Sequence, residues 1–308
     1  TYGDWSSDVC SSDLDAKPQE QELWERLSTT EGADKAEVLD ELSHIAYNRK
    51  NYIECLQLVD TSIEIYYSLG LDLHTRDLIH VTQGKAFCLV NLKRPREAAE
   101  AFEEVAKLHQ LSDDIPGYIS AIRDAACNWY EAEEWQKSLD GHTAAKDAID
   151  PDATPMSMGI DLLNIGMAQA KLENYEAAIA SYKSARSLFK EAKNPEHVNW
   201  CDNYLSRAYI AIKNGPEAKF HAQHYFNYSK VAEDLDMEGY ARYRLGAAHL
   251  LSLEYEDAET ELTRSLELLT LEGNRDWESI IGANKELAQA LFAMGRDEEA
   301  QSRLRSEE

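Results

Sequence analysis

The chain has 308 residues and a net charge of −26, from 57 acidic residues against 31 Lys and Arg. This balance argues against binding to nucleic acid or to an anionic membrane surface, because both need a basic surface on the protein. Apolar residues make up 44% of the chain, as in globular proteins, and no stretch approaches the ~20 apolar residues of a membrane-spanning helix.

The two ends differ in composition from the rest of the sequence. The stretch DWSSDVCSSDL, Asp4–Leu14, has no initiating Met, no helical spacing and no apolar run. A secretory signal would need a positive start and an apolar core. The stretch back-translates to a sequence that resembles a sequencing-library adapter, and RSEE, Arg305–Glu308, resembles the same adapter on the opposite strand. We therefore predict that residues 1–14 and 305–308 are not native, with a natural disordered tail as the alternative.

The first predicted element is one helix in residues 15–34. It contains KPQEQELWERLSTTEG, with Pro18 in the first turn, where its missing N–H has no helical partner to lose. If residues 1–14 are foreign, they should make few contacts with the rest, and Trp5 should not be part of a core.

The following elements repeat one pattern of small and apolar residues. In LLNIGMAQAKLENYEAAIASYKSA, Leu162–Ala185, Ile165 and Gly166 share one face of a first helix. After the turn LENY, Ala178 and Tyr182 share a face of a second helix. The segment is therefore predicted to be a hairpin of two antiparallel helices.

Two positions of this hairpin are small in all seven copies. In the first helix they are Ser43, Ala86, Ala126, Gly166, Ser206, Gly246 and Ala288, at steps of 40 to 43 residues. In the second helix they are Cys55, Ala98, Ser138, Ala178, Ala218, Ala258 and Ala300. Small residues at both positions let the two helices of a hairpin cross closely. We predict that all fourteen are buried at such crossings.

This pattern resembles the tetratricopeptide repeat (TPR), in a variant longer than the ordinary ~34-residue unit. The resemblance covers residues 35–304 as seven repeats. It implies an all-α fold, a right-handed superhelical solenoid of antiparallel helix hairpins. It also implies a concave groove lined by the first helix of each hairpin.

The same resemblance places candidate peptide-binding residues in the groove. They are Tyr47, Phe87, Arg123, Tyr130, Asn203, Arg207, Tyr240, Tyr243 and Lys285. Aromatic and Arg side chains are typical anchors of protein interfaces. The alternative for each residue is packing between hairpins, or an ordinary solvated surface. Asn203 and Arg207 resemble half of a carboxylate clamp, but Leu163 and Met167 replace the other half.

Motifs of catalysis and cofactor binding are missing. The sequence has no GxxxxGK[ST], HExxH or GxSxG, and no GxGxxG after a strand. We therefore predict no enzymatic activity and no cofactor. His221 and His224 make at most half of a metal site, so we predict no metal. Outside residues 1–14 no Cys pair forms a CxxC motif, which favours a reduced, cytoplasmic protein.

Two functions remain open from the sequence. The chain could be a protein–protein interaction scaffold that binds a peptide or a partner helix in its groove. Alternatively, it could be the sensory or regulatory TPR region of a bacterial signalling or transcriptional regulator whose output domain is missing.

Overall fold

The computed structural model describes residues 16–148, 154–271 and 276–305, without the side chains of residues 16–18 and 72. The predictions for residues 1–14, including the few contacts expected of Trp5, lie outside the described residues. So do residues 306–308 of the predicted foreign C-terminal end.

The described residues form fifteen α-helices and no strand. The helices are α1 (Ala16–Leu27), α2 (Gly32–Asn48), α3 (Tyr52–Leu69), α4 (Leu71–Asn91), α5 (Pro95–Leu111), α6 (Ile115–Glu131), α7 (Trp135–Ala148), α8 (Pro155–Lys171), α9 (Tyr175–Glu191), α10 (Pro195–Ala211), α11 (Gly215–Ala232), α12 (Leu235–Leu251), α13 (Tyr255–Leu269), α14 (Trp277–Ala293) and α15 (Asp297–Arg305). Helix α4 has a non-helical residue, His74, near its start.

The contacts divide the chain into two compact units, Thr1–Pro151 and Asp152–Glu308. In unit 1, α2 packs against α3, α4 against α5 and α6 against α7, while α1 packs against α2. In unit 2 the same pairing joins α8 to α9, α10 to α11, α12 to α13 and α14 to α15. Each unit is therefore a series of helix hairpins, which confirms the predicted all-α, TPR-like fold class.

The turns between helices use two local devices. At nine turns, the residue just before the N-cap of the next helix has a left-handed backbone conformation, with φ between 53° and 60°. These residues are Lys50, Lys93, Asp113, Glu133, Glu173, Lys193, Lys213, Glu233 and Leu253. The next residue is often Asn or Asp, whose side-chain oxygen accepts from an N–H in the first turn, as Asn214 does from Glu217 at 3.3 Å. Such caps stabilise a helix by about 0.5–2 kcal/mol each.

The small residues predicted at the hairpin crossings are all buried. The packing at Gly166 shows the physical reason. A Cβ atom built there would lie 2.5 Å from Cε1 of Tyr182, much closer than van der Waals contact allows. The two helices of this hairpin can approach closely because Gly166 has no side chain. This confirms the prediction of close crossing.

Apolar clusters form the interior of each unit. In unit 1, Leu42, Val59 and Cys88 belong to one of them. In unit 2, Phe189 and Leu205 belong to another. Among the described helices, none is both long enough and apolar enough to cross a lipid bilayer.

Candidate functional site

The candidate residues lie on the first helices of their hairpins, as the repeat pattern predicts. In unit 1, Tyr47 lies on α2, Phe87 on α4, and Arg123 and Tyr130 on α6. In unit 2, Asn203 and Arg207 lie on α10, Tyr240 and Tyr243 on α12, and Lys285 on α14. We call these surfaces the first-helix face of unit 1 and the first-helix face of unit 2.

The three aromatic candidates of unit 1 are half-buried and contact neighbouring aromatic rings. Tyr47 meets Tyr52 edge to face with ring centroids 5.4 Å apart, Phe87 meets Phe102 at 5.5 Å, and Tyr130 meets Trp135 at 5.0 Å. Offset and edge-to-face pairs of this kind stabilise a fold. These rings therefore contribute to packing between helices, and a further role as ligand anchors stays a prediction.

Polar contacts join the first helices of unit 1 to each other. The Tyr47 hydroxyl accepts a hydrogen bond from Nδ2 of Asn91 at 3.1 Å, which links α2 to α4. Arg123 is half-buried on α6 beside Asp124. Burial raises the pKa of the Asp124 carboxyl to about 6, and the charge of Arg123 opposes this rise.

The first-helix face of unit 2 has a different character. Arg207 is exposed, and Asn203, one turn earlier on α10, is half-buried. Two further charged residues, Arg244 on α12 and Glu286 on α14, lie half-buried on the same face. We call Asn203, Arg207, Tyr243, Arg244 and Glu286 the Arg244 cluster.

The sequence reasoning missed Arg244 and Glu286. Each follows a predicted residue by one position, Arg244 after Tyr243 and Glu286 after Lys285. One position on a helix turns the side chain by about 100°, so Arg244 and Glu286 fall outside the set of positions that the repeat pattern selects. Arg244 and Glu286 occupy the same repeat position as Tyr204, but this spacing does not show that their side chains meet.

Tyr243 occupies the middle of the Arg244 cluster. The guanidinium carbon of Arg244 lies 4.5 Å from the Tyr243 ring centroid. The Tyr243 hydroxyl is 3.5 Å from Oε1 of Glu286, which joins α12 to α14. Gly282 on α14 makes room for this hydroxyl, because a Cβ atom there would collide with it. The ring is thus held between the two charged groups.

The environment changes the acidity of both charged groups. Burial raises the pKa of Glu286 to about 7, although the nearby charge of Arg244 and a hydrogen bond from Tyr243 oppose the rise. Burial first, and the positive charge of Arg207 second, lower the pKa of Arg244. A guanidinium nevertheless keeps its proton in proteins. The cluster therefore holds two cations beside a carboxyl that titrates near neutral pH.

Three buried polar atoms of the Arg244 cluster have no hydrogen-bond partner among the described residues. They are Oδ1 of Asn203, Nε of Arg244 and Oε2 of Glu286. They come from α10, α12 and α14, and these helices contact one another in that order. A buried polar atom without a partner costs about 1–3 kcal/mol. The Arg244 cluster thus brings together one donor and two acceptor atoms without a protein partner among the described residues.

The two remaining candidates of unit 2 differ in their surroundings. The Tyr240 hydroxyl donates a hydrogen bond to Asp276, the N-cap of α14. Tyr240 therefore helps to fix the start of α14. Lys285 is exposed on α14 and can add positive charge at the edge of the face.

A separate cleft of about 760 Å³ lies in unit 2 between α9, α10 and the end of α11. Its lining includes Phe189, Val198, Lys190 and Lys193, together with Asn199. The side-chain oxygen of Asn199 is buried without a hydrogen-bond partner among the described residues. The cleft therefore combines apolar walls with a basic rim in a strongly acidic chain.

Beside this cleft, Asp202 organises a buried ion group. Arg186 binds both carboxylate oxygens of Asp202, at 2.9 and 3.0 Å, and Nδ1 of His221 lies 2.6 Å from Oδ1. His221 is buried, whereas His224 is exposed and meets the Phe220 ring edge to face. His221 is thus committed to a hydrogen bond with Asp202.

Comparison with solved structures shows the class to which the fold belongs. The chain is similar to a signal-transduction ATPase with a tetratricopeptide repeat sensor from Pyrococcus horikoshii, with a TM-score of 0.64 and 16% identity over 97% of this chain. It spans 47% of that protein's length. No protein-family model and no curated protein sequence matches the chain.

The quorum sensor NprR is similar in two states. Its apo form from B. thuringiensis has a TM-score of 0.57 and 14% identity, covering 95% of this chain and 81% of NprR. NprR in complex with its cognate peptide NprX has a TM-score of 0.56 and 12% identity, covering 96% of this chain and 79% of NprR. At such identities the likeness shows the fold alone, a TPR-like helical-repeat fold.

Proposed function

We propose that the first-helix face of unit 2 binds a peptide, with the Arg244 cluster at its centre. The observation that carries this proposal is the set of three unpartnered buried atoms on α10, α12 and α14. A folded chain rarely leaves buried polar atoms unpaired unless a ligand or water completes them.

The chemistry of the cluster suits a peptide main chain. A peptide offers an N–H donor and a C=O acceptor at each residue, and these complement the oxygens of Asn203 and Glu286 and the Nε of Arg244. The exposed guanidinium of Arg207 favours a carboxylate on the ligand, because charge-assisted hydrogen bonds are stronger than neutral ones. Tyr243 supplies an aromatic surface with little conformational freedom to lose.

The likeness to NprR supports this proposal at the level of the fold. NprR binds its cognate peptide NprX, so a TPR-like array of comparable length is able to hold a peptide. The identity of 12% gives no basis for transferring the peptide's sequence. We propose the binding mode and leave the ligand to be identified by selection.

The test is selection from a random peptide library against the full chain. We expect wild-type protein to enrich peptides that carry a carboxylate, and Arg244→Met to reduce their affinity at least tenfold. The reduction follows because Met replaces the aliphatic part of the Arg side chain but removes the donors and the charge. Fluorescence anisotropy with a labelled selected peptide measures the affinities.

The matched control is Arg264→Met on α13. Arg264 is an exposed Arg of the same unit, paired with Glu267 at 2.7 Å, and it lies on a second helix. Its removal should leave peptide affinity within a factor of two. If Arg244→Met binds the selected peptides as well as wild type does, or if no peptide is enriched, the proposal is wrong.

A second candidate function is the sensory region of a bacterial signalling or transcriptional regulator. It is favoured by the likeness to a signal-transduction ATPase of which this chain spans 47%. Amplifying the gene across both ends of the coding sequence tests it. An adjoining ATPase or DNA-binding domain would support the regulator function. An open reading frame that ends without such a domain would contradict it and favour the scaffold function.

The proposal extends to the other candidate residues. We propose that Tyr47, Phe87, Arg123 and Tyr130 form a further contact surface in unit 1. For unit 2 we propose that Tyr240 and Lys285 border the peptide. A cytoplasmic location, a lack of enzymatic activity and a lack of nucleic-acid binding complete the proposal.

A further inference from the structure

Two imidazole rings and a carboxylate converge on the first-helix face of unit 1. Asp40 and His44 lie one turn apart on α2, and His80 comes from α4. The Nε2 atoms of His44 and His80 are 3.1 Å apart. Nε2 of His80 is 3.2 Å from Oδ2 of Asp40, and Nε2 of His44 is 3.9 Å from Oδ1.

We propose that Asp40, His44 and His80 bind a divalent first-row transition-metal ion, with Zn²⁺ as the leading candidate. Two imidazole nitrogens and one carboxylate form a set of ligands that Zn²⁺ uses when one coordination position stays open. This inference concerns unit 1 and does not depend on peptide binding by unit 2.

The distances suit a metal between the three groups. Zn²⁺ lies about 2.0–2.2 Å from nitrogen and oxygen ligands, so two ligands at angles of about 90–110° are about 3.0–3.4 Å apart. Two of the three separations, 3.1 and 3.2 Å, already fall in this range. A small rotation of the carboxylate or of the His44 ring brings the third separation, 3.9 Å, into the same range.

Proton counting also favours a cation at this point. Two N–H groups that face each other would repel at 3.1 Å, so at most one proton lies between the two Nε2 atoms. A metal ion accepts a lone pair from both nitrogens and from the carboxylate at once.

The surroundings leave the site open to ions without supplying a thiolate. The side chains of Asp40, His80 and His44 are 10%, 12% and 23% exposed, so an ion can reach them. Cys55 and Cys88 belong to the buried apolar cluster of unit 1 and not to the convergent group of three. The ligand set is two nitrogens and one carboxylate.

A second convergent group in unit 2 is less suited to a metal. His249 lies 2.5 Å from Glu254 and 4.0 Å from Asp257. This group has one imidazole, and Lys219 already neutralises Glu254 at 2.7 Å. It therefore provides a matched control with the same residue types.

The experiment uses the full chain, freed of metal with EDTA and titrated with Co²⁺ and then Zn²⁺. We expect one high-affinity ion per chain, a visible Co²⁺ spectrum of nitrogen and oxygen ligands, and a higher Tm with Zn²⁺. A strong near-ultraviolet thiolate band would instead assign the ion to a Cys and overturn the proposal. Isothermal titration calorimetry supplies the stoichiometry and Kd.

Three single variants locate the ion: His44→Gln, His80→Gln and Asp40→Asn. Each should weaken Zn²⁺ binding at least about tenfold and reduce the Tm increase, while His249→Gln should leave both unchanged. Asp40→Asn keeps the side-chain shape, so it remains informative if a His variant folds poorly. If wild type binds no ion, or if the three variants bind as wild type does, the proposal is refuted.

Discussion

The carboxyl of Glu286 allows a quantitative test of the Arg244 cluster. Burial raises its pKa from 4.5 to about 7, and each pKa unit corresponds to about 1.4 kcal/mol. The folded state therefore holds a proton that the unfolded state releases between these two pH values. Because the folded state binds more protons there, the free energy of unfolding falls as pH rises from 4.5 to about 7.

The perturbation is Glu286→Gln, which keeps the shape and removes the ionisation. Between pH 4.5 and 7 the wild type should lose up to about 3 kcal/mol of stability relative to this variant. The comparison must be differential because the chain has 57 acidic residues, and the others titrate equally in both proteins. Above pH 7 the variant should be the more stable protein.

The assay is urea unfolding followed by circular dichroism at several pH values between 4 and 8. The matched control is Glu278→Gln, which changes an exposed Glu on the same helix. Its free energy of unfolding should differ from that of the wild type by the same amount at every pH. If the Glu286→Gln difference is also flat across this pH range, the carboxyl is not buried beside Arg244 as described. The assignment of Glu286 to the cluster would then fail.

Two further variants test the packing and the ion group of unit 2. Gly166→Ala places a Cβ 2.5 Å from the Tyr182 ring; overpacking costs about 1–3 kcal/mol and exceeds the gain of about 1 kcal/mol in helix propensity. We expect a net loss of stability in urea unfolding, and an equally stable variant would contradict the close crossing. Asp202→Ala leaves Arg186 and His221 without their carboxylate, so unfolding should be easier by about 3–5 kcal/mol, as for a broken buried ion pair. A loss below 1 kcal/mol in the same assay would show that this ion group is not buried.

Much of the fold could be predicted because its rules are local. Small residues such as Gly166 and Ala178 recur at fixed spacing, and helix crossings require small side chains wherever they occur. The turns follow from caps such as Asn214, whose side chain acts within three residues of its own position. These features need no knowledge of distant contacts.

The sequence predicted which helices carry the candidate residues, but not which of their side chains meet. The first helices do carry Asn203, Arg207 and Tyr243, and whether these bind a ligand stays a prediction. Arg244 was missed because a rotation of one residue decides which side chains meet between neighbouring helices. That rotation depends on packing, including the space that Gly282 leaves for the Tyr243 hydroxyl.

The sequence by itself determined the class of fold and the hairpin period, since each depends on residues near one another in the chain. Only the tertiary structure decided which polar groups converge. His44 and His80 are 36 residues apart, and Asn203, Arg244 and Glu286 come from three different hairpins. Distances between repeats are set by how whole helices pack, and no local pattern in the sequence encodes them.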